Sequence, residues 1–145
     1  MLGSLIIGWL VKHKGTVFSY GLVLWIWLTA LTLIVISPGE TLFWAVGPLA
    51  GVGMGGVWVA SRAIVVELSP PEKIGEFFGI YSLAGKMASI AGPLLWGSVV
   101  WIFQDTQTLK YRAAVGSLLL ITIATIFLFN TLKKQIQTNS AQIEQ

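Results

Sequence analysis

The chain has 145 residues, of which 55% are hydrophobic and only 10% charged, and its mean hydropathy is +0.81. A soluble domain carries about 25% charged residues, so a water-soluble fold is excluded, and the absence of cysteine removes disulfides, thiolate metal sites and thiol nucleophiles. The net charge of +3 would raise nucleic acid as a partner in a soluble protein, but here the basic residues sit mostly between apolar segments and read as topology signals.

Taken in order, the first element is a short apolar run over residues 1–11, followed by Lys12, His13 and Lys14. A signal peptide carries its positive charge before the apolar run. This run also covers only about half of a bilayer core at roughly 1.5 Å per residue, so it is expected to be the last half of a helix that begins upstream. Residues 16–36 contain no charge and would form a helix about 31 Å long, enough to cross a bilayer. Ser37-Pro38-Gly39-Glu40 reads as a tight turn. A second span is expected over 41–61, followed by a charged segment over 62–76 that contains Ser69-Pro70-Pro71-Glu72.

The third span, 77–103, holds the only charge inside an apolar stretch, Lys86. A polar loop over 104–112 leads to the fourth span, 113–132, and residues 133–145 form a polar tail expected to be disordered. The fold class is therefore an all-α membrane protein, with one half helix and four transmembrane helices. Lys12, Lys14, Arg62, Lys73, Lys133 and Lys134 fall on one side of the membrane, against Lys110 and Arg112 on the other. Basic residues accumulate in cytoplasmic loops, which makes the tail cytoplasmic.

Two features inside the spans bear on function. Gly47, Gly51 and Gly55 recur every four residues, which places a stripe of small residues where a neighbouring helix can pack closely. The alternative is a partly broken helix lining a substrate pathway, and one helix can serve both ends. Lys86 lies well inside its span, where a charge costs about 2.5–3.5 kcal/mol. At 100° per residue it shares a small, polar face with Gly79, Ser82, Ser89, Pro93 and Gly97, beside the apolar Leu83, Met87, Ile90 and Leu94. That pattern turns Lys86 toward other helices or a water-filled cavity, with Ser82 and Ser89 as companion pathway residues. Snorkelling of the lysine to the interface is the competing reading. All the acidic residues, Glu40, Glu67, Glu72, Glu76, Asp105 and Glu144, are expected in loops or the tail. A counter-ion would have to come from a substrate or from helices outside the chain.

The stretch 67–81, ELSPPEKIGEFFGIY, resembles the cytoplasmic loop and helix start before the eleventh helix of major facilitator transporters. The stretch 8–15, GWLVKHKG, resembles that superfamily's Gly-x-Leu-x-Asp-Arg-x-Gly loop between helices eight and nine. It keeps Gly8, Leu10 and Gly15, while Lys12 and His13 replace the Asp-Arg gating pair. Arg62, Glu67, Pro71 and Gly79 are assigned to the second cytoplasmic motif region by the same resemblance. The string 76–97, EFFGIYSLAGKMASIAGPLLWG, is similar to the branch of autophagy-linked vacuolar amino-acid effluxers and their bacterial relatives, in which a Gly-Lys pair, here Gly85 and Lys86, recurs.

The resemblance implies a chain running from the end of helix eight to helix twelve of a transporter that works by alternating access of two six-helix halves. It implies efflux of a small, amino-acid-like solute, a partner in the missing N-terminal half, and residence in the inner membrane of a bacterium or the vacuolar membrane of a eukaryote. No cofactor, metal or nucleic acid is implied.

An intramembrane enzyme needs a nucleophile, an acid and base, or metal ligands. The single histidine, His13, lies on a basic stretch and reads as a solvated residue. Two further readings stay open: a truncated product inactive alone, and a small non-transport scaffold subunit.

Overall fold

The computed structural model describes residues 2–36, 43–106 and 109–143. Five helices follow one another: α1 (Leu2–Lys14), α2 (Thr16–Ile36), α3 (Phe43–Leu68), α4 (Ile74–Ile102) and α5 (Leu109–Ile143), with one 3-10 turn (Pro71–Lys73) before α4. Four stretches, Thr16–Ile36, Val46–Leu68, Pro71–Ile102 and Leu109–Lys134, are long and apolar enough to cross a membrane. In lipid every backbone polar group must be satisfied within the protein, and the hydroxyls within the spans follow the same rule. Thr29, Thr32, Thr122 and Thr125 each donate to the carbonyl one turn back, at 2.7–2.9 Å.

Helices α2, α3, α4 and α5 form a ring in which α2 packs on α3 and α5, and α4 packs on α5 and, more lightly, on α3. Helix α1 lies against α3 and α2. The packed centre is small: Ile7, Val23 and Ala60 are buried together, with Leu10, Tyr20, Trp27 and Val57 closing around them. Helix α4 has no buried residue at all, so its contact with the ring uses one edge only. Tyr20 and Phe129 meet at 5.2 Å between ring centroids across α2 and α5, and the Ser61 and Tyr81 hydroxyls hydrogen-bond at 2.8 Å across α3 and α4.

The turn between α1 and α2 is a single glycine. Gly15 has φ +85, a conformation that glycine adopts without penalty, and its N–H closes α1 on the Val11 carbonyl at 3.1 Å. Val17, Leu68, Tyr81 and Lys133 line one partly open hollow of about 250 Å³. The start of α2, the end of α3, the beginning of α4 and the far part of α5 therefore share one end of the bundle.

Several boundaries differ from those read in the sequence. Helix α1 continues through Lys12, His13 and Lys14, so the stretch 8–15 is mostly helix rather than loop. Helix α3 runs on through Arg62 and Glu67 to Leu68, because charge does not stop a helix whereas Pro70 and Pro71 do. Likewise α5 continues to Ile143, through the segment expected to be disordered. Nothing after Leu132 breaks a helix, and Lys, Gln, Ala and Ile carry it forward. The turn at 37–40 lies outside the described residues.

The glycine stripe also resolves differently from its expected form. A Cβ built on Gly55 would stand 3.0 Å from the Ser4 backbone nitrogen, whereas one on Gly47 or Gly51 would meet open space. Each four-residue step turns a helix by about 40°, so the stripe drifts off a single contact line. The close approaches are at Gly3 and Gly56: a Cβ on Gly3 would lie 2.5 Å from the Val52 Cα, and one on Gly56 would lie 2.7 Å from a Val23 methyl.

Candidate transport groove

Beside the Ser61–Tyr81 hydrogen bond, helices α3 and α4 leave a groove of about 560 Å³ between them. Its walls are Val57, Trp58 and Arg62 from α3 and Tyr81, Ser82, Gly85, Lys86 and Ser89 from α4. Three residues that the sequence placed on one helical face, Lys86, Ser82 and Ser89, thus do gather in one concave site. Ser89 donates its hydroxyl to the Lys86 carbonyl at 2.7 Å, which ties that side chain to the helix. The small side chains at 82, 85 and 89 leave space around the lysine stem, so an aqueous ligand could sit beside the ammonium.

The structure adds Arg62 to this site. Read in the sequence as part of a cytoplasmic loop, it lies on α3, with its guanidinium 5.2 Å from the centre of the Trp58 ring. Cation–π attraction to an indole at this distance draws a guanidinium toward the ring without occupying its N–H donors. The groove therefore presents two cations, several hydroxyls and no acidic side chain among its walls. Such a set can attract and orient an anionic group; it has no nucleophile paired with a base, so it is not built for bond-breaking chemistry.

The other sequence-assigned residues sit elsewhere. Gly8 touches Val59 of α3 at a distance that would give a Cβ an ordinary 3.9 Å contact. Gly15 is the α1–α2 turn. Glu67 and Pro71 are exposed at the end of α3 and in the 3-10 turn, and Gly79 faces open space on α4. His13 hydrogen-bonds the Trp9 carbonyl at 2.9 Å and stacks on the Trp9 ring, away from the groove.

The sequence profile of the Major Facilitator Superfamily matches residues 1–144. The chain belongs to that superfamily. Among curated relatives, this major facilitator chain is 32% identical over 100 residues to an uncharacterized MFS-type transporter, YxiO, of Bacillus subtilis, covering 69% of the chain and 22% of the relative. It is 34% identical over 85 residues to autophagy-related protein 22 of Eremothecium gossypii, covering 59% of the chain and 16% of the relative. An uncharacterized protein of Aquifex aeolicus is 30% identical over 120 residues, covering 83% of the chain and 29% of that protein. The chain thus spans less than a third of the length of these relatives. No solved structure matches it. Membership of this superfamily of membrane transporters agrees with the four helices, among the described residues, that are long and apolar enough to cross a membrane.

Proposed function

We propose that the chain forms part of the second half of a larger transporter that exports a small, amino-acid-like solute by alternating access, with the α3/α4 groove lining the pathway. The observation that carries this reading is the gathering of Lys86, Arg62, Ser82 and Ser89 in one groove without an acidic wall. A carboxylate is the substrate group that such a pair of cations favours, and an amino acid supplies one. The likeness to autophagy-related protein 22 and to an MFS-type transporter supports the same direction.

The exposed apolar side of α4, beside the groove, also supports a companion half. Leu83, Met87, Ile90 and Leu94 on α4 are 61–65% exposed, and a helix covered along one edge only makes a one-sided pathway. The basic end of the bundle, where α1 brings Lys12 and Lys14, the 3-10 turn brings Lys73 and α5 brings Lys133 and Lys134, is the cytoplasmic end on this reading.

The complete transporter, reconstituted in vesicles loaded with labelled amino acids or with labelled sugars of similar size, tests the proposal. Amino acids should leave the vesicles faster than from protein-free controls, and sugars should not. Release of sugars alone would refute the substrate class, and release of neither would remove the transport reading of the groove.

A further inference from the structure

On the side of the ring opposite the Lys86 groove, α2 and α5 leave a second hollow of about 390 Å³, walled by Phe18, Leu22 and Trp25 from α2 and by Phe129, Asn130 and Lys133 from α5. Its floor is shallow because the helices meet there: a Cβ on Gly21 would stand 3.2 Å from the Phe129 ring. Phe18 and Trp25 remain 47% and 61% exposed, so the hollow opens sideways along the length of the bundle. A second cation reaches the same end, for the Lys14 ammonium lies 5.6 Å from the centre of the Phe18 ring. No acidic residue lines the hollow.

The slot therefore has lysines at the basic end and an aromatic, aliphatic wall running roughly 10 Å deeper along α2. In a bilayer, a phosphate beside lysines and an acyl chain beside apolar residues are the two ends of one molecule, and basic pockets between helices at the membrane surface suit anionic headgroups. Asn130 adds an amide donor at the level of Lys133, one residue type that an anionic lipid's glycerol or phosphate oxygens can use. We propose that the α2/α5 groove binds an anionic glycerophospholipid, with its phosphate at Lys14 and Lys133 and one acyl chain against Phe18, Leu22 and Trp25. This site is separate from the transport groove and stands whether or not the amino-acid reading is right.

Native mass spectrometry of the detergent-purified chain, titrated with dioleoylphosphatidylglycerol or dioleoylphosphatidylcholine, tests it. The anionic lipid should bind about tenfold more tightly, and the Lys14→Gln/Lys133→Gln pair should weaken it about 25-fold, at roughly fivefold for each near-surface lysine. Lys12→Gln/Lys73→Gln removes the same charge from the same end and should change affinity by about twofold or less, since separated exposed charges are screened. Equal binding of the two lipids, or equal weakening by the two pairs of substitutions, would overturn the site. Glycerol phosphate, which has the headgroup but no acyl chains, should fail to displace the bound lipid; displacement would mean a free-phosphate site and would also overturn the proposal.

Discussion

Replacing Lys86 with Met is expected to lower transport by the complete transporter roughly 10- to 100-fold while leaving its folded yield unchanged, because a hydrogen bond to a charged group contributes about 1.5–3 kcal/mol. Met keeps the length and the apolar stem, and Lys86 is exposed in the groove with no ion pair or hydrogen bond from its ammonium among the described residues. Its removal therefore leaves no orphaned partner among the described residues. Lys86→Arg should retain part of the rate, since the charge stays while the planar, forked guanidinium changes the geometry. Initial rates in vesicles, normalised to inserted protein, measure all three. Parental transport by Lys86→Met would mean that the lysine only snorkels.

The second large effect concerns the α1–α3 crossing. Gly3→Ala is expected to destabilise the bundle by about 1–3 kcal/mol, the usual range for overpacking. The added Cβ would sit 2.5 Å from the Val52 Cα and 3.1 Å from its carbonyl oxygen, and backbone atoms cannot step aside as a flexible side chain can. Gly56→Ala should fall at the lower end of that range, because its neighbours are the methyl and methylene ends of Val23 and Ile7. Gly51→Ala points into open space and should be neutral or stabilising by up to about 1 kcal/mol, the gain in helix propensity. Thermal melts followed by circular dichroism in detergent would show the difference in sign. If Gly3→Ala and Gly51→Ala melted together, the crossing would not be held by that close approach.

The order of helices was legible because it rests on the length of apolar runs, which the bilayer thickness fixes directly. The bounds of α2, Thr16–Ile36, coincide with those read from the sequence. The helix ends near charges were less legible: Arg62 and Lys133 looked like loop and tail, yet the backbone continues as helix through both. A charged side chain at a helix end reaches the interface along its own stem, so charge marks the depth of a residue and not the end of its helix. The prolines after Ser69 were the true stop signal.

Within the groove, the face shared by Ser82, Lys86 and Ser89 followed from the helical period alone, since one helix carries all of them. Arg62 could not be placed beside them in that way, because only the packing of α3 on α4 brings positions 62 and 86 to one groove. Gly3 was missed for a related reason. It is a single glycine in a short run with no repeat around it, and its importance lies in the Val52 backbone on another helix. The repeating glycines are conspicuous by their spacing, but a period of four drifts around a helix, so of Gly47, Gly51 and Gly55 only Gly55 has a close neighbour.

Cysteine accessibility along α4 most directly tests whether this small polar face lines an aqueous pathway. The chain has no cysteine of its own, so a single introduced thiol reports without background. In open membranes bearing the complete transporter, Ser82→Cys and Ser89→Cys should react readily with a membrane-impermeant thiol reagent, and an excess of substrate should slow the reaction. Leu83→Cys and Met87→Cys, on the apolar side, should react far more slowly, because a thiol among apolar groups stays protonated and unhydrated. Equal reactivity at all four positions, or faster reaction at Leu83 and Met87, would contradict a pathway between α3 and α4.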